Sequence, residues 1–166
     1  MMRIEVSARG TFKFQDEVYP CALGRGGVTQ NKYEGDGATP AGDFLLRSVL
    51  FRPDRIEQPT TKLPSRTLQI HDGWCDDPED SRYNRLVSLP YPSSAEQLWR
   101  DDHIYDVIAV IGYNDDPPIA ARGSAIFLHV ARKNFAPTAG CIALAIDDLL
   151  AVLRDCERDT EISITT

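Results

Sequence analysis

Two side chains in one short stretch have the types and spacing for covalent catalysis. Ile126 to Leu144 reads IFLHVARKNFAPTAGCIAL, with His129 and Cys141 separated by a loop. A free thiol is mostly protonated near neutral pH, and only its thiolate attacks. An imidazole beside it can take that proton and later return it to a leaving amine. Gly140, just ahead of the Cys, lets the backbone approach closely, so that amides around Gly140 and Cys141 can face a developing oxyanion. The Thr138 hydroxyl is placed to fix the loop or the imidazole. Taken alone, a lone Cys reads as a small buried hydrophobe and a lone His as a hydrogen-bonded core residue. The His-loop-Thr-x-Gly-Cys unit is harder to dismiss, because its flanks are strands. Ile126 to Leu128 and Ile142 to Leu144 are short apolar runs bounded by turn residues, and Asn134, Ala136 and Pro137 make the loop. A His at one strand end then meets a Cys at the start of the next.

These residues resemble the catalytic segment of the L,D-transpeptidase family, the YkuD-type domain. The match is carried by His129, Thr138, Gly140, Cys141 and Ile142. A second block, Gly24 to Phe44 (GRGGVTQNKYEGDGATPAGDF), is similar to the family's Gly-x-Thr-Pro-x-Gly-x-Phe run through Gly37, Thr39, Pro40, Gly42 and Phe44. The resemblance covers roughly Leu23 to Leu153. It implies Cys141 as nucleophile, His129 as acid-base group, peptidoglycan stem peptides as substrate, no cofactor, and a place in the periplasm or cell envelope. Two positions depart from the family pattern. Val130 follows the His where Gly or Ser is common. Ala143 stands two residues past the Cys, where Arg or Asn is usual. An Arg there holds a donor carboxylate, so its absence points either to a substitute cation, with Arg85 and Arg132 the candidates, or to a donor other than the usual one. A 1→3 linkage made from the L-Ala–D-Glu bond is one such donor. Two alternatives stay open: a cysteine peptidase or amidase that hydrolyses cell-wall peptides, and a non-catalytic cell-wall binding module on the same fold.

The chain sets further bounds. At 166 residues it has the length of a single domain spanning 1–166, with enough chain for a core without staples. Its net charge of −7 argues against nucleic acid, which favours a basic face. No apolar run has the length of a membrane span, and a monomer is expected. The first residues, MMRIEVS, lack the continuous apolar core of a secretory signal. Four cysteines permit disulfides without requiring them, and Cys21 and Cys156 read as core fillers. His71 and Cys75 lack the further partners that a metal site needs.

The remaining elements must position this chemistry. Met2–Val6, Thr11–Phe14 and Val18–Leu23 alternate as meander strands. Phe44–Phe51, Thr67–His71 and Tyr105–Tyr113 read as further strands, and Glu161–Thr165 as the last. Ser93 followed by Glu96 has the form of a helix-capping box and predicts a short helix to about Asp101. Asp147 and Asp148 ahead of an amphipathic run predict a second helix to about Cys156. The acidic segment Asp72–Arg85 carries Trp74, Tyr83, Asn84 and Arg85, the aromatic and hydrogen-bonding mixture of a loop that holds a peptide. With Arg132 these are the expected substrate-binding residues. The fold expected is mainly β, a β-sandwich of mixed sheets like the family's catalytic domain, with about two short helices.

Overall fold

The computed structural model describes residues 1–166. It is mainly β, with mixed sheets and a single α-helix. The chain opens with an antiparallel meander, Arg3–Ser7 (β1), Thr11–Phe14 (β2) and Glu17–Pro20 (β3). Ile4, Val6, Phe12 and Phe14 are buried while Arg3, Glu5, Thr11 and Lys13 face out, the period-two alternation of strands with one wet face. Two short segments, Val28–Thr29 (β4) and Thr39–Pro40 (β5), pair in parallel within the Gly-rich stretch. Gly42–Phe51 (β6) is the longest strand and the hinge of the architecture. It pairs with Val107–Ile111 (β11) on one side and with the last strand, Glu161–Thr165 (β14), on the other. Ser65–Thr67 (β7) adds to its end. The large sheet continues through Phe127–Val130 (β12) to Ile142–Leu144 (β13), giving the order β13-β12-β11-β6-β14-β1-β2-β3.

A second sheet of three strands is built from Asp72–Cys75 (β8), Leu86–Ser88 (β9) and Ala95–Gln97 (β10), in the order β10-β8-β9. The one α-helix, Ile146–Asp155 (α1), starts with Asp147 and Asp148 in its first turn, where carboxylates suit the unpaired N–H groups. It buries Leu149, Val152 and Leu153 in the main core with Ile4, Phe12, Leu46, Ala109, Leu128 and Ile142. A smaller core lies on the other face of β11 and β12. Ile108, Val110 and Phe127 meet Leu98 and Leu68 there, and Trp74 of β8 stands edge-on to Phe127 at 5.1 Å. Leu128 and Ile142 serve the first core, Phe127 and Cys141 the second, so adjacent residues of two strands feed opposite layers.

The helix expected from Ser93 is absent. Residues 95–97 form β10 instead, with Glu96 opposite Trp74. Both capping side chains have tertiary partners: the Ser93 hydroxyl donates to Asp80 at 2.6 Å, and Glu96 accepts from Tyr105 at 2.5 Å. The segment read as Thr67–His71 is divided, with β7 ending at Thr67 and β8 starting at Asp72. All four cysteines are buried and free, and Cys21 and Cys156 belong to the main core.

Candidate active site

The turn from Thr138 to Cys141 is bolted to the Gly-rich stretch by a small set of buried bonds. Thr138 Oγ1 donates to the Cys141 carbonyl at 2.6 Å and accepts from the Gly140 N–H at 3.1 Å, closing the turn on itself. The fully buried Thr39 hydroxyl accepts from the Gly24 N–H and donates to the Gly140 carbonyl, both at 2.9 Å. Leu23 and Arg25 bracket Thr138 with two backbone bonds, Thr138 N–H to the Leu23 carbonyl and Arg25 N–H to the Thr138 carbonyl. Two glycines allow this contact. Gly140 has φ +140°, and a Cβ on it would lie 2.8 Å from the Ala38 carbonyl oxygen. A Cβ on Gly24 would lie 2.3 Å from that of Gly37. The two sequence blocks, about a hundred residues apart, are one structural unit here.

β12 and β13 run parallel, with Leu128 opposite Ile142 and His129 opposite Ala143. His129 and Cys141 therefore project on the same face. Both side chains are buried, His129 at 3% and Cys141 at 7% exposure, and both border one cavity of about 360 Å³. His129 Nδ1 donates to the Val130 carbonyl at 2.9 Å; a carbonyl only accepts, so Nδ1 carries the proton and Nε2 is the basic nitrogen. Burial lowers the imidazole from its ordinary value of 6.5 to about 4. The Cys141 thiol donates to the Ala125 carbonyl at 3.2 Å and accepts from the Phe127 N–H at 3.3 Å. Burial, with Glu96 adding to it, pushes the thiol up to about 12. The resting pair is thus a neutral thiol and a neutral imidazole, not a thiolate-imidazolium pair. The Gly140 amide is committed to Thr138, whereas the N–H groups of Ala139 and Cys141 make no bond within the protein, and both residues border the cavity. These two amides are the ones free to hold an oxyanion.

Of the residues expected at the site, Cys141, His129, Thr138 and Arg132 border the cavity, with Gly140 behind the turn. Trp74, Tyr83, Asn84 and Arg85, expected to bind substrate, do not border this cavity. Asn84 is a buried hub. Its Oδ1 accepts from Trp74 Nε1 at 2.8 Å and from the Ala125 N–H at 3.0 Å, while Nδ2 donates to the Tyr113 and Asn114 carbonyls. Arg85 donates to the Asp115 carbonyl at 2.5 Å. The Tyr83 hydroxyl donates to Glu34 and accepts from the Gly123 N–H. These side chains brace the wall that presents Ala125 to the thiol. The same segment does reach the cavity, through Asp76.

The rest of the lining comes from residues the sequence gave little reason to choose. Lys32 and Glu34 lie inside the Gly-rich block, Ser124 precedes β12, Glu96 and Arg100 come from the region expected to be helix, and Tyr105 from the start of an expected strand. Tyr105 stands edge-on to His129 at 5.3 Å. No group of three or more His, Cys, Asp or Glu side chains is arranged to hold a metal ion.

A strand pair that sets a Cys turn beside a buried His, clamped by a Gly-rich arm, defines a cysteine-site β domain. The model of the L,D-transpeptidase catalytic domain (YkuD) matches residues 4–164, and the chain belongs to that family. Among solved structures it is similar to an L,D-transpeptidase from Mycobacterium tuberculosis H37Rv (12% identity, TM-score 0.49). It is also similar to L,D-transpeptidase 3 from Mycobacterium tuberculosis in complex with a faropenem-derived adduct (14% identity, TM-score 0.48). In each case 99% of this chain is covered, but only 57% and 60% of the other, so this chain spans less than two thirds of those relatives. No curated protein matches it significantly. No helix is long and apolar enough to cross a membrane.

Proposed function

We propose that the chain is a peptidoglycan L,D-transpeptidase of the cell envelope, acting as one catalytic unit through a Cys141 acyl-enzyme. The reading rests chiefly on one observation: Cys141 borders the same cavity as His129, whose Nε2 is the basic nitrogen, and as Ala139, and the Ala139 and Cys141 amides are unbonded. In the first half-reaction the thiol leaves the Ala125 carbonyl and passes its proton to His129 Nε2 as sulfur attacks a donor carbonyl. The Ala139 and Cys141 N–H groups hold the oxyanion. His129 returns the proton to the leaving amine, and a thioester remains. In the second, an amine of another stem attacks the thioester, an amide forms, and sulfur leaves as the thiol.

The donor we propose is non-standard, with 1→3 linkage the leading form. Ala143 is fully buried and carries no charge, so the usual carboxylate anchor is missing. Arg25 and Arg132, both exposed on the cavity rim, remain to hold donor carboxylates in another arrangement. Incubating purified muropeptides with the wild type and with Cys141→Ala, then sequencing the products by tandem mass spectrometry, tests both points. Dimers that require Cys141 and contain 1→3 bonds are expected. Shortened monomers alone would establish the hydrolase instead, and dimers with only 3→3 bonds would refute the donor proposal.

A further inference from the structure

Charge pairing divides the cavity into two kinds of lining. Four cations and three carboxylates border it. Two of the cations are already committed: Lys32 Nζ to Asp36 at 2.5 Å, and the Arg100 guanidinium to both oxygens of Asp102 at 2.8 and 2.7 Å. None of the carboxylates has an ionic partner. Glu34 receives only the hydroxyls of Tyr83 and Ser124, both on Oε1. Glu96 receives only the Tyr105 hydroxyl, also on Oε1, which leaves its second oxygen without a donor. Asp76 Oδ1 is the one buried side-chain oxygen or nitrogen in the molecule with no hydrogen-bond partner at all. An unpartnered carboxylate oxygen shut away from water, as Asp76 Oδ1 is, is costly and calls for a cation. Burial raises the Glu96 carboxyl, and the charges of Asp76 and Glu34 add to the effect.

Their placement is as telling as their charge. Asp76 follows β8 and bonds through its N–H to the Ser94 carbonyl, just ahead of β10 and Glu96. The acidic wall is thus the edge of the small sheet, while Cys141 and His129 come from β12 and β13 of the large one. The carboxylates do not converge on a point as metal ligands do. What fits between spread carboxylates is a cation with several donors, and a primary ammonium has three.

We infer that Glu96 and Asp76, assisted by Glu34, form the subsite that takes the primary ammonium of the acceptor. This inference rests on the transferase reading above and assigns the acceptor side of it. The ammonium must lose a proton before its nitrogen can attack. The Glu96 carboxylate accepts that first proton and later releases it to solvent. The neutral amine attacks the thioester, forming the N–C bond and breaking C–S, and its second proton passes through His129 to the departing sulfur. The third hydrogen stays on the new amide. The Tyr105 hydroxyl holds Glu96 in place from the side facing His129.

The test separates the subsite from the turnover. Nα-acetyl-lysine amide carries one primary ammonium and no carboxylate, and Nα-acetyl-norleucine amide is its uncharged analogue. Amide chemical shifts of the intact protein are followed by NMR as each is added. Saturable shifts at cavity residues are expected with the lysine probe and not with the norleucine one. Glu96→Gln and Asp76→Asn should each weaken the lysine probe about tenfold, the worth of a lost charge-assisted bond. The same spectra verify that each variant is folded, and if one is not, the other decides. Equal affinity in the wild type and the folded variants overturns the subsite, as does equal binding of the two probes. A wild type that binds the lysine probe through Glu96 and Asp76 but cross-links no muropeptide refutes the transferase reading and supports the subsite. A wild type that cross-links muropeptides while both variants bind the probe undiminished refutes the subsite alone.

Discussion

The resting state of Cys141 can be tested through its reaction with an alkylating agent as pH is varied. The thiol sits at about 12 against an ordinary value of 9.0, chiefly because burial disfavours the anion. That rise corresponds to roughly 4 kcal/mol, and to about a thousandfold less thiolate at any pH below 9. His129, at about 4, stays neutral across the same range, so it offers no positive charge to stabilise a thiolate. Iodoacetamide should therefore modify Cys141 about a thousandfold more slowly than a free cysteine at pH 7. The rate should rise about tenfold per unit from pH 5 to 9 without a plateau, since alkylation follows the thiolate fraction. Site-resolved mass spectrometry of quenched time points would separate Cys141 from Cys21, Cys75 and Cys156. A rate that is flat between pH 5 and 8 would mean a thiolate-imidazolium pair. It would refute the neutral pair deduced from the Ala125 and Val130 hydrogen bonds.

Other outcomes follow from the same contacts. Because His129 is lowered to about 4 from 6.5, only the unfolded chain binds this proton between those values. The contribution of neutral His129 is complete above pH 6.5 and is lost as pH falls toward 4. Urea titrations should show a decline totalling about 3 kcal/mol, a decline that His129→Gln lacks. Thr39→Val keeps the shape but leaves the Gly24 N–H and the Gly140 carbonyl buried without partners. A loss of about 2–4 kcal/mol in denaturant unfolding is expected, along with impaired turnover because the Cys141 turn loses its clamp. Trp74→Phe removes the donor to Asn84 and should cost about 1–2 kcal/mol in stability with KM for a muropeptide unchanged; a KM effect without a stability effect would restore Trp74 to the substrate. Gly140→Ala forces a Cβ onto φ +140° against the Ala38 carbonyl, and loss of most transfer activity in a folded protein is expected.

The elements legible in the sequence were those whose pattern is local. The alternation Arg3-Ile-Glu-Val and Thr11-Phe-Lys-Phe marks one-sided strands, and Leu149, Val152 and Leu153 after a pair of Asp residues mark α1. The β-rich class and the family were legible for the same reason. The missed features depend on partners far along the chain. Ser93 and Glu96 have the local form of a cap, but Asp80 and Tyr105 are better partners than the backbone amides of a helix that has few apolar residues to bury. Trp74 and Asn84 have the chemistry of a ligand-holding loop, and nothing nearby in sequence reveals that Ala125, Tyr113 and Asn114 supply their hydrogen bonds. The acidic wall was equally hidden. Asp76 and Glu96 become neighbours only when β8 pairs with β10, and they face a thiol carried by a different sheet.

The position of β14 has a consequence for how the molecule is assembled on the ribosome. The last strand lies between β6 and β1, and its pairing with β1 is parallel, Arg3 beside Glu161 through Ser7 beside Thr165. Arg3 reaches across it, bonding Glu161 at 2.8 Å, Ser163 at 2.9 Å and Asp43 of β6 at 3.2 Å. β1 thus has no link through the sheet to β6 until β14 has left the exit tunnel. During synthesis β1 to β3 can fold as a meander held to β13 through Ala22 and Ala143, but the β1 edge stays unpaired, of the kind that invites association with other chains. Stopping synthesis at Arg158 would leave β6 and β1 without their intermediary and split the sheet in two. The five residues of β14, which bring no group to the cavity, thereby decide when the chain becomes a native protein.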